Sequence, residues 1–327
     1  MVVQELVRQE DSTLAHFRVR TPKSIELTET RAEVLRATRR FLENENYLEV
    51  TTPTITGATG ACENTNTIFR IDYFGHSAFL IQTSQLHLEA FVFGIPKVYS
   101  INHSYRAEPK IDDRRLCEFT LIEFEVKDMD LNELMDFEER YLRYVFNQVR
   151  DRICPENRKY IDQKFPRITY TEAINLLKAE GVDIEWGADL SAKDEKIITD
   201  RLGITFVTHY PESIKFFNMK YNRENPEVVD CVDLLLPGVG ESIGGSVREY
   251  DHANLVNRLE TSSMLRQLTE KGGKREDFDW YLELFEDVEV HRAGAGIGFE
   301  RIIQFIRGTN SIKECVEFVR NASSVLP

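Results

Sequence analysis

The sequence predicts an α+β fold that combines a β-hairpin and further strands with amphipathic helices, and three stretches point to it. Residues 97–105 and 119–126 are β-rich runs joined by a polar connection, the pattern of a hairpin with a long loop. Residues 131–150 place Leu131, Leu134, Met135, Tyr141, Leu142, Val145 and Val149 on one helical face, which makes a core-facing helix. Residues 291–303 carry Gly294, Gly296 and Gly298 at alternate positions ahead of an apolar helix. That spacing is not G-x-G-x-x-G and no βαβ unit surrounds it, so the glycines suit a strand closely approached by a ligand.

The elements follow in order. Residues 1–26 are polar and too short for a domain, and read as an arm or an edge strand. Thr30-x-x-Glu33 has the form of a capping box, and Val34, Leu35, Ala37, Phe41 and Leu42 carry the helix to a turn at residues 44–46. The strand 47–52 is stopped by Pro53, which cannot donate to a sheet ladder and so suits a sheet edge or a subunit boundary. Residues 57–67 are rich in Gly, Ala, Thr and Asn and contain Glu63, a composition expected of a mobile loop that closes over a ligand. A buried strand at 77–82 runs through Thr83 and Ser84 into a helix that ends at Gly94. Gln82, Thr83 and Gln85 thus gather at a strand end, where they bind a substrate or only cap the helix.

The loop of the 97–126 hairpin holds Arg106, Glu108, Lys110, Arg114, Arg115 and Glu118. Arginine grips phosphate oxygens in a planar, two-pronged way and keeps its proton, and the hairpin base puts Arg106 and Phe119 on neighbouring strands. A phosphate and an aromatic base fit one such face; read alone, the loop is equally a solvated charged tip. Residues 151–166 read as a connector, with short surface helices at 171–180 and 192–202, so that 151–203 form an insertion. Apolar runs at 204–210, 214–219 and 228–236 lead to Asp233 and Glu241 at the two ends of a Pro-Gly turn, followed by Gly-Gly-Ser246-Val-Arg248. The two carboxylates suit Mg²⁺ bridging phosphates, with Arg248 left for a carboxylate, or else form a hairpin with paired surface charges. Helices are expected at 253–270 and 276–287.

A formal net charge of -14 disfavours non-specific nucleic-acid binding, which depends on clustered Lys and Arg. The five cysteines are scattered without CxxC spacing, so neither a disulfide framework nor a zinc site is indicated. No basic-then-apolar leader follows Met1 and no apolar run spans a bilayer; a protein of the reducing cytoplasm, without a membrane, is expected.

In this order, the blocks resemble motifs 1, 2 and 3 of class II aminoacyl-tRNA synthetases: residues 49–53, residues 105–119, and Gly294 through Arg301. The resemblance runs from about Thr28 onward, so residues 27–327 are expected to form one catalytic domain, an antiparallel sheet of six or seven strands flanked by helices. The block 236–249 is similar to the aspartyl/asparaginyl branch. The asparaginyl side is favoured by Gln85-Leu-His-Leu88-Glu89, which lacks the lysine of aspartyl enzymes at Leu88, by Glu123, and by the spacing of Asp233 and Glu241. An anticodon-binding OB domain takes about a hundred residues and cannot be built from the 26 ahead of residue 27, so the sequence looks like the stand-alone cores related to asparaginyl-tRNA synthetase that make asparagine.

The resemblance implies roles. Arg106 and Arg301 would be catalytic, with Glu108, Arg114, Arg115, Phe119 and Glu241 completing the ATP site. Asp233 and Glu241 would hold Mg²⁺. Glu63, Thr83, Gln85, Glu123, Lys215, Ser246, Arg248 and Arg292 would surround the amino acid, Arg248 taking the carboxylate that does not react. Arg115, Asn218, Arg292 and Ala295 depart from the synthetase pattern, the last three where the amino acid or its acceptor sits. The expected activity is ATP-dependent conversion of aspartate and ammonia to asparagine, AMP and pyrophosphate. Transfer of the activated acid to tRNA, a protein or an amine is the first alternative, and a non-catalytic sensor the second. The expected partners are small substrates and a second copy of the chain, tRNA being disfavoured by the low basicity.

Overall fold

The computed structural model describes residues 15–58 and 65–325. Strands are β1 (Leu48–Glu49), β2 (Ile55–Thr56), β3 (Arg70–Tyr73), β4 (His76–Leu80), β5 (Lys97–Tyr105), β6 (Glu118–Lys127), β7 (Arg167–Thr169), β8 (Thr205–Thr208), β9 (Cys231–Leu236), β10 (Gly240–Val247) and β11 (Arg292–Gly298). Eight of them form one sheet in the order β1-β5-β6-β11-β10-β9-β8-β7, and β2, β4 and β3 form a small second sheet. The expected hairpin is β5–β6, with Ser104 opposite Phe119 and Tyr105 opposite Glu118. The sheet is larger than expected and not wholly antiparallel. β1 runs parallel to β5 and β7 parallel to β8, each a strand of two or three residues added at an edge. Long crossovers precede both pairings, which is what parallel neighbours require.

Helices Pro22–Asn44, Leu131–Gln148 and Phe299–Arg307 cover one face of the sheet and share a core with it that includes Phe41, Phe124, Phe137, Phe146 and Phe305. The first of these starts earlier than the capping-box pattern implies. Thr21 is its N-cap and Pro22 its first residue, whereas Thr30 lies inside it and bonds back to the Glu26 carbonyl at 2.8 Å. Residues from Pro22 on therefore belong to the domain and not to an arm. Residues 151–203, expected to be an insertion, are folded as well: Pro155–Ile161, Tyr170–Ala179 and Ala192–Leu202 are helices, and β7 lies between the first two. The helix expected over 253–270 is two helices, His252–Thr261 and Ser263–Glu270, because Ser262 caps the second. Residues 276–287 break into short turns of helix. These segments pack with Phe79 and Leu86 into a separate apolar cluster.

Glu138, on the Leu131–Gln148 helix, is buried beneath Gly245, where an added Cβ would lie 2.9 Å from its Oε1. Among the described residues neither carboxyl oxygen has a hydrogen-bond partner. Burial and the charge of Asp233 hold this carboxyl well above the usual range, with Arg167 opposing. The folded protein keeps a proton that the unfolded chain releases near pH 4.5, so Glu138 costs stability as the pH rises above that value. Glu138→Gln should leave stability near pH 4 unchanged and raise it at pH 8, measured by urea unfolding. Equal midpoints at pH 8 would show a carboxyl that titrates normally.

Candidate active site

The face of the sheet away from the three long helices carries the polar residues, because the strand period of two sends alternate side chains there. Arg106 follows directly on β5. Its N–H donates to the Cys117 carbonyl at 2.9 Å, which closes the hairpin, and its guanidinium lies 4.9 Å from the centre of the Phe119 ring. Arg301, in the first turn of the Phe299–Arg307 helix, donates to the Glu241 carbonyl oxygen and lies 3.9 Å from Glu241 Oε2. The adjacent Glu300 anchors that helix by accepting from the Thr120 N–H at 2.9 Å and from Arg31 at 3.1 Å. Arg115 is paired with Asp112 and sits 3.5 Å from Glu108. Arg114 donates to Glu195 at 2.9 Å. The hairpin residues expected to bind ATP are therefore brought together, each cation beside a protein carboxylate or an aromatic ring.

Asp233 on β9 and Glu241 on β10 converge on Gly244, where an added Cβ would lie 3.0 Å from Glu241 Oε1 and 3.6 Å from Asp233 Oδ1. Glycine keeps that space open. Lys215 donates to Asp233 at 2.8 Å and lies 4.0 Å from the centre of the Tyr210 ring. Burial pushes Asp233 up to about 6, with Lys215 pulling it down and Glu241 adding to the rise. Burial also works against the charge of Glu241, yet Arg301, Lys215, Arg106 and Arg114 outweigh it and hold that carboxyl below its usual range. Burial and the Glu241 charge push Glu195 up to about 7, against the pull of Arg301 and Arg114. Among the described residues no three metal-binding side chains gather. Two carboxylates over a glycine do fit Mg²⁺, which takes one or two carboxylates and completes its shell with phosphate oxygens and water.

Beside this lies a second, more buried set. Glu123 accepts from the Thr83 hydroxyl and from the Ser84 N–H at 2.8 Å. Burial raises its carboxyl above the usual range, against the pull of those bonds. Arg248 was expected to wait for a substrate carboxylate. Instead both its Nε and its terminal NH2 donate to Glu125 at 3.0 Å, and its other terminal nitrogen donates to Ser246 Oγ at 2.6 Å. Arg292 is likewise committed: its Nε donates to Glu89 at 3.0 Å. Glu89 also accepts from Tyr281 at 2.7 Å, Gln85 at 2.9 Å and Asn218 at 2.8 Å, and stands 3.8 Å from Arg248. Burial pushes Glu125 up to about 7, with Arg248 opposing. At Glu89 the two guanidiniums outweigh burial and hold the carboxyl below its usual range.

The motif-3 glycines run alongside these acids: Gly294 pairs with Glu125 and Gly296 with Glu123 across β11 and β6. Gln85 and Arg292 thus bond to Glu89, Ser246 to Arg248, Thr83 to Glu123 and Lys215 to Asp233. Glu63 lies outside the described residues. Glu125 and Glu195 were missed by sequence reasoning, and Glu89 was noted there only as part of a motif. The one signal for Glu125 was its place two residues after Glu123 in a strand, which puts both on the same face.

A family model described as tRNA synthetases class II (D, K and N) matches residues 8–322. The asparagine–tRNA ligase of Thermococcus kodakarensis is 36% identical over 324 residues, which span 95% of this chain and 73% of the relative. That of Lactococcus lactis subsp. cremoris is 34% identical, spanning 95% and 72%. The crystal structure of asparaginyl-tRNA synthetase from Pyrococcus horikoshii complexed with asparaginyl-adenylate superposes with a TM-score of 0.88 at 34% identity, covering 96% of this chain and 72% of that one. A fold and site of this kind, matched at this level, are those of an amino-acid-activating ligase that forms an aminoacyl adenylate. The chain belongs to the class II tRNA synthetases of the D, K and N group. The expectation that tRNA is disfavoured as a partner is overturned, since relatives named for ligation to tRNA align with 95% of the chain. Net charge failed as a guide because it averages the surface, and a local patch is enough to meet a polyanion.

Proposed function

We propose that the chain activates asparagine with ATP and transfers it to tRNA. The observation that carries the choice of amino acid is the two-pronged bond between Arg248 and Glu125. With Arg292 on Glu89 as well, both buried guanidiniums are already neutralised. An aspartate side chain would have to displace Glu125 and leave a second carboxylate in the same dry pocket, which is costly. An amide fits without displacement: its oxygen accepts from the arginine side and its NH2 donates to a glutamate. The expected free-asparagine synthesis from aspartate is thereby less well supported than the tRNA alternative, which the names of the relatives also favour.

In this reading an oxygen of the α-carboxylate attacks the α-phosphorus in line, and the bond to pyrophosphate breaks. Arg106 and Arg301 neutralise the charge on the transferred group, Phe119 stacks on the adenine, and Glu108 accepts from its amino group. Arg114 and Arg115 lie on the side of the departing pyrophosphate. Asp233 and Glu241 would hold Mg²⁺, which would supply positive charge to offset that on the departing pyrophosphate. The acceptor hydroxyl then attacks the activated carbonyl and AMP leaves. Self-association is part of the proposal, through the Pro22–Asn44 helix and the edge where Leu48 and Ile55 are 53% and 43% exposed. Among the described residues no helix is long and apolar enough to cross a membrane.

The test is amino-acid-dependent exchange of pyrophosphate into ATP, with and without ammonium, followed by charging of bulk tRNA. Asparagine should be preferred over aspartate by at least about 100-fold in kcat/KM, since an aspartate side chain brings a second carboxylate into the pocket. Exchange with aspartate and ammonium-dependent release of asparagine would reverse the choice.

A further inference from the structure

Glu195 comes from the insertion, in the first turn of the Ala192–Leu202 helix, and reaches the candidate triphosphate site from outside the hairpin. Its carboxylate is built in. Oε2 accepts from Arg114 at 2.9 Å, and Oε1 accepts from the backbone N–H of Glu241 at 3.3 Å. Gly240 has a φ of +94°, and any Cβ there would overlap Glu195 Oε2, so backbone and carboxylate are packed directly on one another. The arginine is the opposite case. Its side chain is 41% exposed against 11% for Glu195, and it stems from the hairpin loop rather than from a helix or strand. In an exchange between partners, the carboxylate stays and the guanidinium moves.

We propose that Glu195 is a fixed resting partner for Arg114, competing with the pyrophosphate end of the nucleotide for that guanidinium and so setting how tightly pyrophosphate is held. The proposal rests on the nucleotide-site reading given above. A guanidinium with no resting carboxylate would bind the leaving group more strongly and release it more slowly; one with a fixed carboxylate nearby trades one anion for another. Glu195 acts here as a positioning residue and touches no reacting atom.

The experiment is calorimetric titration of the full chain with magnesium pyrophosphate. Glu195→Gln keeps an oxygen for the Glu241 N–H and removes only the charge. It should tighten pyrophosphate by about fivefold, the loss of one partly exposed ion pair, and should have no effect in an Arg114→Ala background. A merely structural glutamate would not tighten binding when neutralised, nor depend on Arg114. A folded Glu195→Gln protein with unchanged or weaker pyrophosphate binding overturns the proposal. Should that variant not fold, Glu195→Asp retracts the carboxylate from Arg114 and is expected to tighten binding in the same direction, with an unchanged affinity counting against the idea. Arg114→Ala with parental affinity, while Arg106→Ala loses binding, also overturns it but leaves the nucleotide site standing. Parental affinity in both arginine variants refutes the nucleotide site itself.

Discussion

Arg106→Ala is expected to lower amino-acid-dependent pyrophosphate exchange by about 10³-fold or more, the scale on which an arginine stabilises charge on a transferring phosphoryl group. The fold should survive. The backbone bond of residue 106 to the Cys117 carbonyl does not need the side chain, and the stacking on Phe119 is a partly exposed contact worth about 1 kcal/mol. A circular-dichroism melt run beside the exchange assay separates the two effects. A variant that melts like the parent and exchanges within a factor of ten of it would place the α-phosphate elsewhere than over the β5–β6 hairpin.

The parts of this site that were legible in the sequence are those whose meaning is local. The hairpin is announced by two β-rich runs around a polar loop, and the motif-3 strand by alternate glycines ahead of an apolar helix; both lie where expected. The start of the first long helix was misread because Thr30-x-x-Glu33 matches a capping box, although Thr21-Pro22 is the stronger signal, with proline preset for a first helical turn. The parallel edges escaped because β1 and β7 are too short to show a period.

The partners of the site arginines were not legible at all. Glu89 and Arg292 are 203 positions apart, Glu125 and Arg248 are 123, and Arg114 and Glu195 are 81. No local rule connects residues at such separations, and an isolated glutamate in a strand or helix has the same appearance whether it faces water or a buried guanidinium. Composition misled for a related reason. A net charge of -14 counts Glu89, Glu123, Glu125 and Glu138 as though they were on the surface, whereas all four are buried. The acidic total therefore mixes buried charges with surface ones and is a poor guide to an RNA partner.

Gly294→Ala is expected to be the most damaging glycine-to-alanine change among the described residues, and Gly296→Ala, two residues on in the same strand, close to harmless for folding. Gly294 sits opposite Glu125 in the β11–β6 pairing, and a Cβ there would overlap both Glu125 Oε2 and the Phe124 carbonyl oxygen. The carbonyl belongs to the backbone of a central strand and cannot step aside, so the strands must part. The carboxylate can move only by leaving Arg248, which is 2% exposed and would then be a buried charge without its main partner, a loss of about 3–5 kcal/mol. Against a total stability of about 5–15 kcal/mol, overlap and unpairing together should give aggregated protein or a melting point lowered by at least about 10 °C. At Gly296 the nearest atom to an added Cβ is Glu123 Cγ at 3.8 Å, an ordinary contact. Expression yield and thermal melts of the two alanine variants, measured side by side, decide the matter. Equal stabilities would mean that the Glu125–Arg248 pair does not press on this strand and that Arg248 is not held by Glu125 before the substrate binds.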